Sequence, residues 1–242
     1  MKKTIVFILG IVLPIFFVQG QYQNRIIPLS IGDTVPDIQF NNIINYKTTS
    51  ARLSDFKGKL VILDFWSTWC SACISGFPLM DSLKKEFGKE LDILMVNTKS
   101  RSTGDNHDKL VNTLVKLKTR TGIAVTLPIV YNNSLLDSLF PNMIIPHEVW
   151  ILRGKVIAIT GSSDITREKI SSVLSGIVPT MSLKQDIFDF RDSVPLFVNN
   201  NGGQGEQITF RSLLSGYVEG LPGRIAYRID KSDTIRNLVT GF

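Results

Sequence analysis

The residues Leu60-Val61-Ile62-Leu63 and Phe65-Trp66 form an apolar run broken by one charge, Asp64. A run that is apolar on both faces predicts a central strand of a sheet covered on both sides. Over 71–87 the apolar residues Phe77, Met80, Leu83 and Phe87 recur at helical spacing, and Gly88 closes the predicted helix. A second buried strand follows at 91–96. Leu110, Leu114 and Leu117 mark a helix ending near Gly122, after which 128–131 reads as a short strand and 134–140 as a short helix. Upstream, 36–40 alternates as a short strand and 47–53 offers another. Past Pro146, the runs 148–152 and 156–160 flank Arg153-Gly154-Lys155 and predict a hairpin. A last helix covers 166–174, with Asp164 or Thr166 as its N-cap.

Helices interleaved with strands, then a hairpin and a helix, predict an α/β domain with a mixed sheet over 32–178. Residues 21–31 read as a linker. The last stretch, 179–242, differs in texture: Asn199-Asn200-Asn201-Gly202-Gly203 is a polar loop, and its flanks at 194–198 and 208–214 fit either paired strands or a short helix. It carries no chemical motif, so this extension of uncertain structure is expected to be an incomplete or partner-dependent module. At the other end, Met1-Lys2-Lys3 precede an apolar run broken only by Gly10 and Pro14, and Gln19-Gly20-Gln21 follow. A basic start, an apolar stretch too short to cross a bilayer comfortably and small residues before a cut are the parts of a secretory signal. Residues 1–20 are therefore read as a signal peptide cleaved after Gly20, with an uncleaved membrane anchor as the other reading. The chain is expected in an exported compartment, periplasm or cell envelope, where disulfide chemistry is permitted.

The formal charge of +6 falls to about +4 once Lys2 and Lys3 are removed. No Lys/Arg run is long enough to neutralise a row of phosphates, so nucleic acid is not expected as a partner. Two cysteines and two histidines cannot complete a four-ligand zinc site without carboxylates.

Attention then falls on Asp64-Phe65-Trp66-Ser67-Thr68-Trp69-Cys70-Ser71-Ala72-Cys73, where the buried strand turns into the helix. Cysteines at i and i+3 on a first helical turn share a face and can close a short disulfide. Unpaired backbone N–H groups at the helix start favour a thiolate at Cys70, and cysteines so placed titrate from about 3.5 to 7.5. Haem attachment would want His after the second cysteine, but Ile74 stands there; zinc would want a second ligand pair, and His107 and His147 are forty residues apart. A structural disulfide across two residues staples almost nothing. Redox chemistry is the reading that remains.

These residues, with Pro78 behind them, resemble the thioredoxin superfamily. Gly32-Asp33 and Pro36-Asp37, the stretch Leu53-Ser54-Asp55-Phe56-Lys57-Gly58-Lys59 and the export signal narrow the resemblance to its TlpA-like branch of exported thiol–disulfide oxidoreductases. It covers about 32–178. The resemblance implies a thioredoxin-like fold, a central mixed sheet flanked by helices. Cys70 is then the attacking and Cys73 the resolving cysteine. It also makes Asp64 the buried carboxylate beneath the disulfide, where burial raises a carboxyl toward neutrality; the alternative is a hydrogen-bonded core residue with no kinetic part. Pro146 matches the position of a cis proline facing the dithiol, against an ordinary trans turn. Ser71-Ala72 replaces the Gly-Pro of thioredoxin, which puts redox poise in question, and Ile145 stands where Thr or Val is more usual. Pro78 is expected to kink the helix. Trp69 either shields the disulfide and contacts substrate or packs in the core. His147 is either a positive imidazole beside the dithiol or a solvated loop residue, and His107 reads as a helix-start residue.

The function expected is a reductase of protein disulfides working through a mixed disulfide, fed by a membrane-bound electron donor on the exported side. No cofactor is expected beyond the Cys70–Cys73 pair. Two rivals stand beside it. A peroxiredoxin-like peroxide reductase would need Pro and Thr at fixed positions before the cysteine, and Leu63 and Ser67 occupy those sites. A binding module would keep the fold as a scaffold in the cell envelope.

Overall fold

The computed structural model describes residues 26–97, 105–184 and 186, together with the backbone of 198–199 and 202–203. The expected signal segment and most of the extension lie outside the described residues. In chain order the elements are β1 (Gln39–Phe40), β2 (Ile43–Ile44), β3 (Ala51–Arg52), β4 (Leu60–Phe65), α1 (Ser71–Phe87), β5 (Leu91–Asn97), α2 (His107–Thr121), β6 (Ile129–Tyr131), α3 (Ser134–Leu139), β7 (His147–Leu152), β8 (Lys155–Thr160) and α4 (Arg167–Leu174). Six strands form one sheet in the order β2-β6-β5-β4-β7-β8. β4 runs parallel to β5, and β5 to β6, whereas β7 lies antiparallel to both β4 and β8. This is the expected mixed sheet with flanking helices, a thioredoxin-like fold. Among the described residues no helix is long and apolar enough to cross a membrane.

Because β4 is buried on both faces, its alternation sorts the interior into two layers. Leu60, Ile62 and Trp66 meet Cys73, Phe77, Met80 and Leu83 of α1, Leu110 and Leu117 of α2, and Ile170 and Val173 of α4. Val61, Leu63 and Phe65 point the other way, into a layer with Leu136 and Leu139 of α3 and the N-terminal residues Val35, Ile38, Phe40 and Phe56. Asp64 falls on the first face, beneath α1.

Two expectations change. The strand read at 47–53 shortens to β3, because side chains take the backbone donors that a longer ladder would need. Asp55 accepts the Arg52 N–H at 2.7 Å and Asp37 accepts the Ser54 N–H at 2.9 Å, so 53–56 closes as a tight helical turn instead. Ile43–Ile44, unmarked in the sequence, adds an antiparallel edge strand against β6. Two apolar residues are too few to show a period. At the last helix, Thr166 is the N-cap, accepting from the Lys169 N–H at 3.3 Å, while Asp164 is buried in the turn before it.

The outer edge of β8 is covered from both ends of the domain. Gly32 N–H donates to Val156 O at 2.8 Å and Val156 N–H to Asp33 O at 3.0 Å. Leu183 bridges Thr160 in antiparallel fashion, and Lys184 N–H donates to Ile159 O at 2.9 Å. The expected boundary after 178 thus lies ahead of residues that still pair with the sheet. Of the segments read at 194–198 and 208–214, only the backbone of Val198 is described; Val198–Asn199 pairs in parallel with Gly202–Gly203.

Phe77 lies edge-on to Trp66 with ring centroids 4.9 Å apart, and both are sealed from solvent. Phe77→Ala is expected to cost about 3–5 kcal/mol of stability, read by urea denaturation of the oxidised protein. A loss below about 1 kcal/mol would mean that α1 is not clamped to the sheet through this contact.

Candidate redox site

β4 delivers the chain into α1 through a four-residue turn. Trp66 N–H donates to Val96 O at 3.0 Å, which carries the sheet one residue past β4, and Cys70 N–H donates to Ser67 O at 3.0 Å. The turn is pinned from outside by Asp105, whose carboxylate accepts from Thr68 N–H at 3.0 Å, Thr68 Oγ1 at 2.5 Å, Asn97 Nδ2 at 3.0 Å and Lys109 Nζ at 2.7 Å. Burial alone would raise the Asp105 carboxyl. The donors Lys109, Thr68 and Asn97 outweigh it and hold the group below the ordinary value.

Cys70 is the N-cap of α1 and Cys73 lies in its first turn. The two are joined as a disulfide with Cα atoms 5.3 Å apart. Cys73 N–H points at Cys70 Sγ, 3.2 Å away. In the reduced protein that donor faces a developing thiolate, as an N-cap acceptor faces a backbone donor, and the helix end adds its partial positive charge. Cys70 is 5% exposed and Cys73 1%, whereas the neighbouring Trp69 is 63% exposed. Of the two readings for Trp69, the core one is thus excluded. Pro78 lies within α1, which continues through it to Phe87.

Opposite the disulfide stands Pro146. The Ile145–Pro146 peptide is cis, and the Ile145 carbonyl oxygen lies 4.0 Å from Cys70 Sγ. Pro146 leads directly into β7, whose first residue, His147, pairs with Phe65 at the end of β4. His147 fits neither of its sequence readings. It is 4% exposed, its ring stands edge-on to Phe65 at 5.3 Å, and Lys184 Nζ donates to its Nδ1 at 3.2 Å. An ammonium has no lone pair, so the ring must accept there and is neutral in this arrangement. His107 is the exposed first residue of α2, with Nδ1 3.1 Å from Asp108.

Asp64 is fully buried, and neither carboxyl oxygen has a hydrogen-bond partner among the described residues. Burial pushes its carboxyl from 3.8 up to about 7. Directly across the β4–β7 ladder sits Glu148, also fully buried and without a hydrogen bond to either carboxyl oxygen among the described residues. Residues opposed in this way have Cβ atoms about 4.5–5.5 Å apart. Burial first, then the charge of Asp64, lift the Glu148 carboxyl well above its ordinary value; Asp164 adds to this and Lys184 opposes it. Sequence reading missed Glu148 because it was taken as the opening residue of a strand. The available signal was a lone carboxylate heading the run Val149-Trp150-Ile151-Leu152. Asp105 was missed as well, since its partner Thr68 lies thirty-seven residues away.

Asp64 sets a stability test with a definite sign. Unfolded, the carboxyl ionises near 3.8; folded, near 7. The protonated form favours the folded chain, so this contribution is complete below about 3.8, falls as pH rises and is gone above about 7. Asp64→Asn, neutral throughout, should remove that decline. The oxidised variant is expected to gain on wild type between pH 4 and pH 8 by about 3 °C or more in melting temperature. Parallel melting curves across that range would show that Asp64 ionises as easily folded as unfolded.

A model of the AhpC/TSA family matches residues 31–134. Thioredoxin-like protein YneN of Bacillus subtilis is 34% identical over 76 residues, which are 31% of this chain and 43% of that protein. Thiol-disulfide oxidoreductase ResA of Geobacillus kaustophilus is 39% identical over 70 residues, 28% of this chain and 38% of the relative. The matched stretches thus span less than half the length of these curated relatives. The crystal structure of the thioredoxin domain of a thiol-disulfide oxidoreductase from Bacteroides vulgatus superposes with a TM-score of 0.46 at 22% identity, covering 62% of this chain and 99% of that one. With a mixed sheet, a disulfide across the start of α1 and curated relatives named as a thioredoxin-like protein and thiol-disulfide oxidoreductases, the chain is similar over its N-terminal half to thioredoxin-like thiol–disulfide oxidoreductases.

Proposed function

We propose that the protein is an exported thiol–disulfide oxidoreductase that reduces disulfides in other proteins. The observation that carries this reading is the position of Cys70: at the N-terminus of α1, bonded to Cys73, beside an exposed tryptophan and 4.0 Å from a backbone carbonyl. In the reduced form the Cys70 thiolate attacks one sulfur of a substrate disulfide, forming a mixed disulfide and expelling the other sulfur as a thiolate. Cys73 then gives its proton to the Asp64 carboxylate and attacks the Cys70 sulfur, restoring the Cys70–Cys73 bond. The substrate leaves with two electrons and takes up two protons from Asp64 and solvent. A carboxyl near 7 is half ionised at neutral pH, so it can accept that proton and release it again.

The backbone at Ile145–Pro146 lies where an extended substrate segment would pass Cys70, and Trp69 would cover the other side. Reductant comes from outside the chain; the family resemblance supports a membrane-bound donor on the exported side, reached after removal of residues 1–20. A peroxide reductase is the second reading, favoured by the AhpC/TSA match. Against it, Leu63 and Ser67 stand where that chemistry wants Pro and Thr, and both are buried.

Reduced protein should turn over a model protein disulfide; Cys70→Ser should abolish this and Cys73→Ala should accumulate the mixed disulfide, seen on non-reducing gels. Unchanged turnover by Cys70→Ser would sink the mechanism, and peroxide consumption outrunning disulfide reduction would favour the second reading. Equilibration with glutathione sets the direction: a potential near −270 mV marks a reductase and one near −120 mV an oxidant.

A further inference from the structure

The segment past the last helix returns to the sheet beside the cysteines. Ser182 N–H donates to the buried Asp164 carboxylate at 3.3 Å, Leu183 bridges Thr160, and Lys184 N–H donates to Ile159 O. The side chains of Lys184 and Asp186 turn inward. Lys184 and Asp186 form an ion pair at 2.8 Å with each side chain only 3% exposed. From this pair two connections reach the site. Asp186 Oδ2 accepts from Met143 N–H at 2.7 Å, two residues before the Ile145 carbonyl that faces Cys70. Lys184 Nζ donates to His147 Nδ1 at 3.2 Å, next to Pro146.

We propose that Lys184 and Asp186, which follow the last helix of the domain, are positioning residues of the redox site: Asp186 holds the 143–146 loop against Cys70, and Lys184 lends positive charge to Glu148, the carboxyl opposite Asp64. The ion pair is buried, and isolated buried charges are costly. That cost is offset here because each partner has more than one contact: Asp186 meets Lys184 and Met143, and Lys184 meets Asp186 and His147. The groups that act on Glu148 come from every side: Asp64 on β4, Asp164 in the turn before α4 with Lys169 of α4 bonded to it, and Lys184 from the segment itself. His147 and Asp186 touch Lys184 and so act at one remove. Among these, Lys184 is the cation that opposes the upward pull of burial and Asp64 on Glu148. Removing it should therefore hold Glu148 protonated to higher pH.

The inference deepens the reductase reading and rests on it for its catalytic consequence, so its test includes measurements that do not need turnover. In full-length oxidised protein, the Glu148 carboxyl carbon is titrated by NMR. Lys184→Met is expected to move that titration up by about one pH unit, and Lys184→Arg to bring it back near wild type. Asp186→Ala is expected to raise KM for a peptide disulfide at least about fivefold with little change in kcat, since it loosens the loop without touching the sulfurs. Should either variant fail to fold, amide exchange in the wild-type protein decides: the Met143 N–H is expected to be protected, and exchange at the rate of an open loop would overturn the proposal. Folded variants with an unmoved Glu148 titration and an unchanged KM would overturn it too. Absence of turnover in wild type would defeat the reductase reading alone, leaving the titration and the exchange rate to judge this one.

Discussion

One junction governs the site: a strand buried on both faces that runs straight into the open end of a helix. The helix end presents backbone N–H groups to a sulfur, and the strand puts a carboxyl group in the dry layer below. The two effects differ in size. A charge at a helix terminus gains about 0.3–1 kcal/mol, up to roughly 2 kcal/mol when partly buried. Moving a carboxyl from 3.8 to about 7 corresponds to roughly 4 kcal/mol between its two protonation states. Burial of Asp64 is therefore the larger lever on the pH at which negative charge gathers under the disulfide, and the helix end decides on which sulfur it is held.

That arrangement demands a rigid surround, because a carboxyl stays neutral at pH 6 only if water stays out. Trp66 and Phe77 close the layer from above, and Trp150, bonded to Thr160 at 3.0 Å, closes it beyond Glu148. Asp105 and Asn97 tie the turn between strand and helix to β5 and α2. These contacts give the disulfide a fixed floor and a fixed approach, while Ser71 and Ala72 between the cysteines remain exposed.

The sheet edge at β8 links this floor to the rest of the chain. An unpaired edge is a template for association with other strands. Here residues 32–35 cover one end of β8 and residues 183–184 the other. Covering the second end places Lys184 and Asp186 within reach of the cis-proline loop, so protecting an edge and bracing a site become the same event.

How much of this could be read in advance follows from distance along the chain. Cys70 and Cys73 sit three residues apart on a strand-to-helix boundary written in apolar periodicity, and Asp64 stands alone in an apolar run; such signals are local, and so was the α/β order of elements. Two-residue strands carry no period, and β3 was cut short by carboxylates at Asp37 and Asp55 competing for its donors. Glu148 acquires its character only when β7 docks antiparallel in the register that sets it opposite Asp64, eighty-four residues away. The state of His147 was set by a lysine thirty-seven residues on. Sequence alone determined which residues carry the sulfur chemistry, because their pattern lies within one turn of helix; the tertiary structure decided which buried charges surround them, because a carboxyl's proton depends on what packs against it and not on its neighbours in the chain.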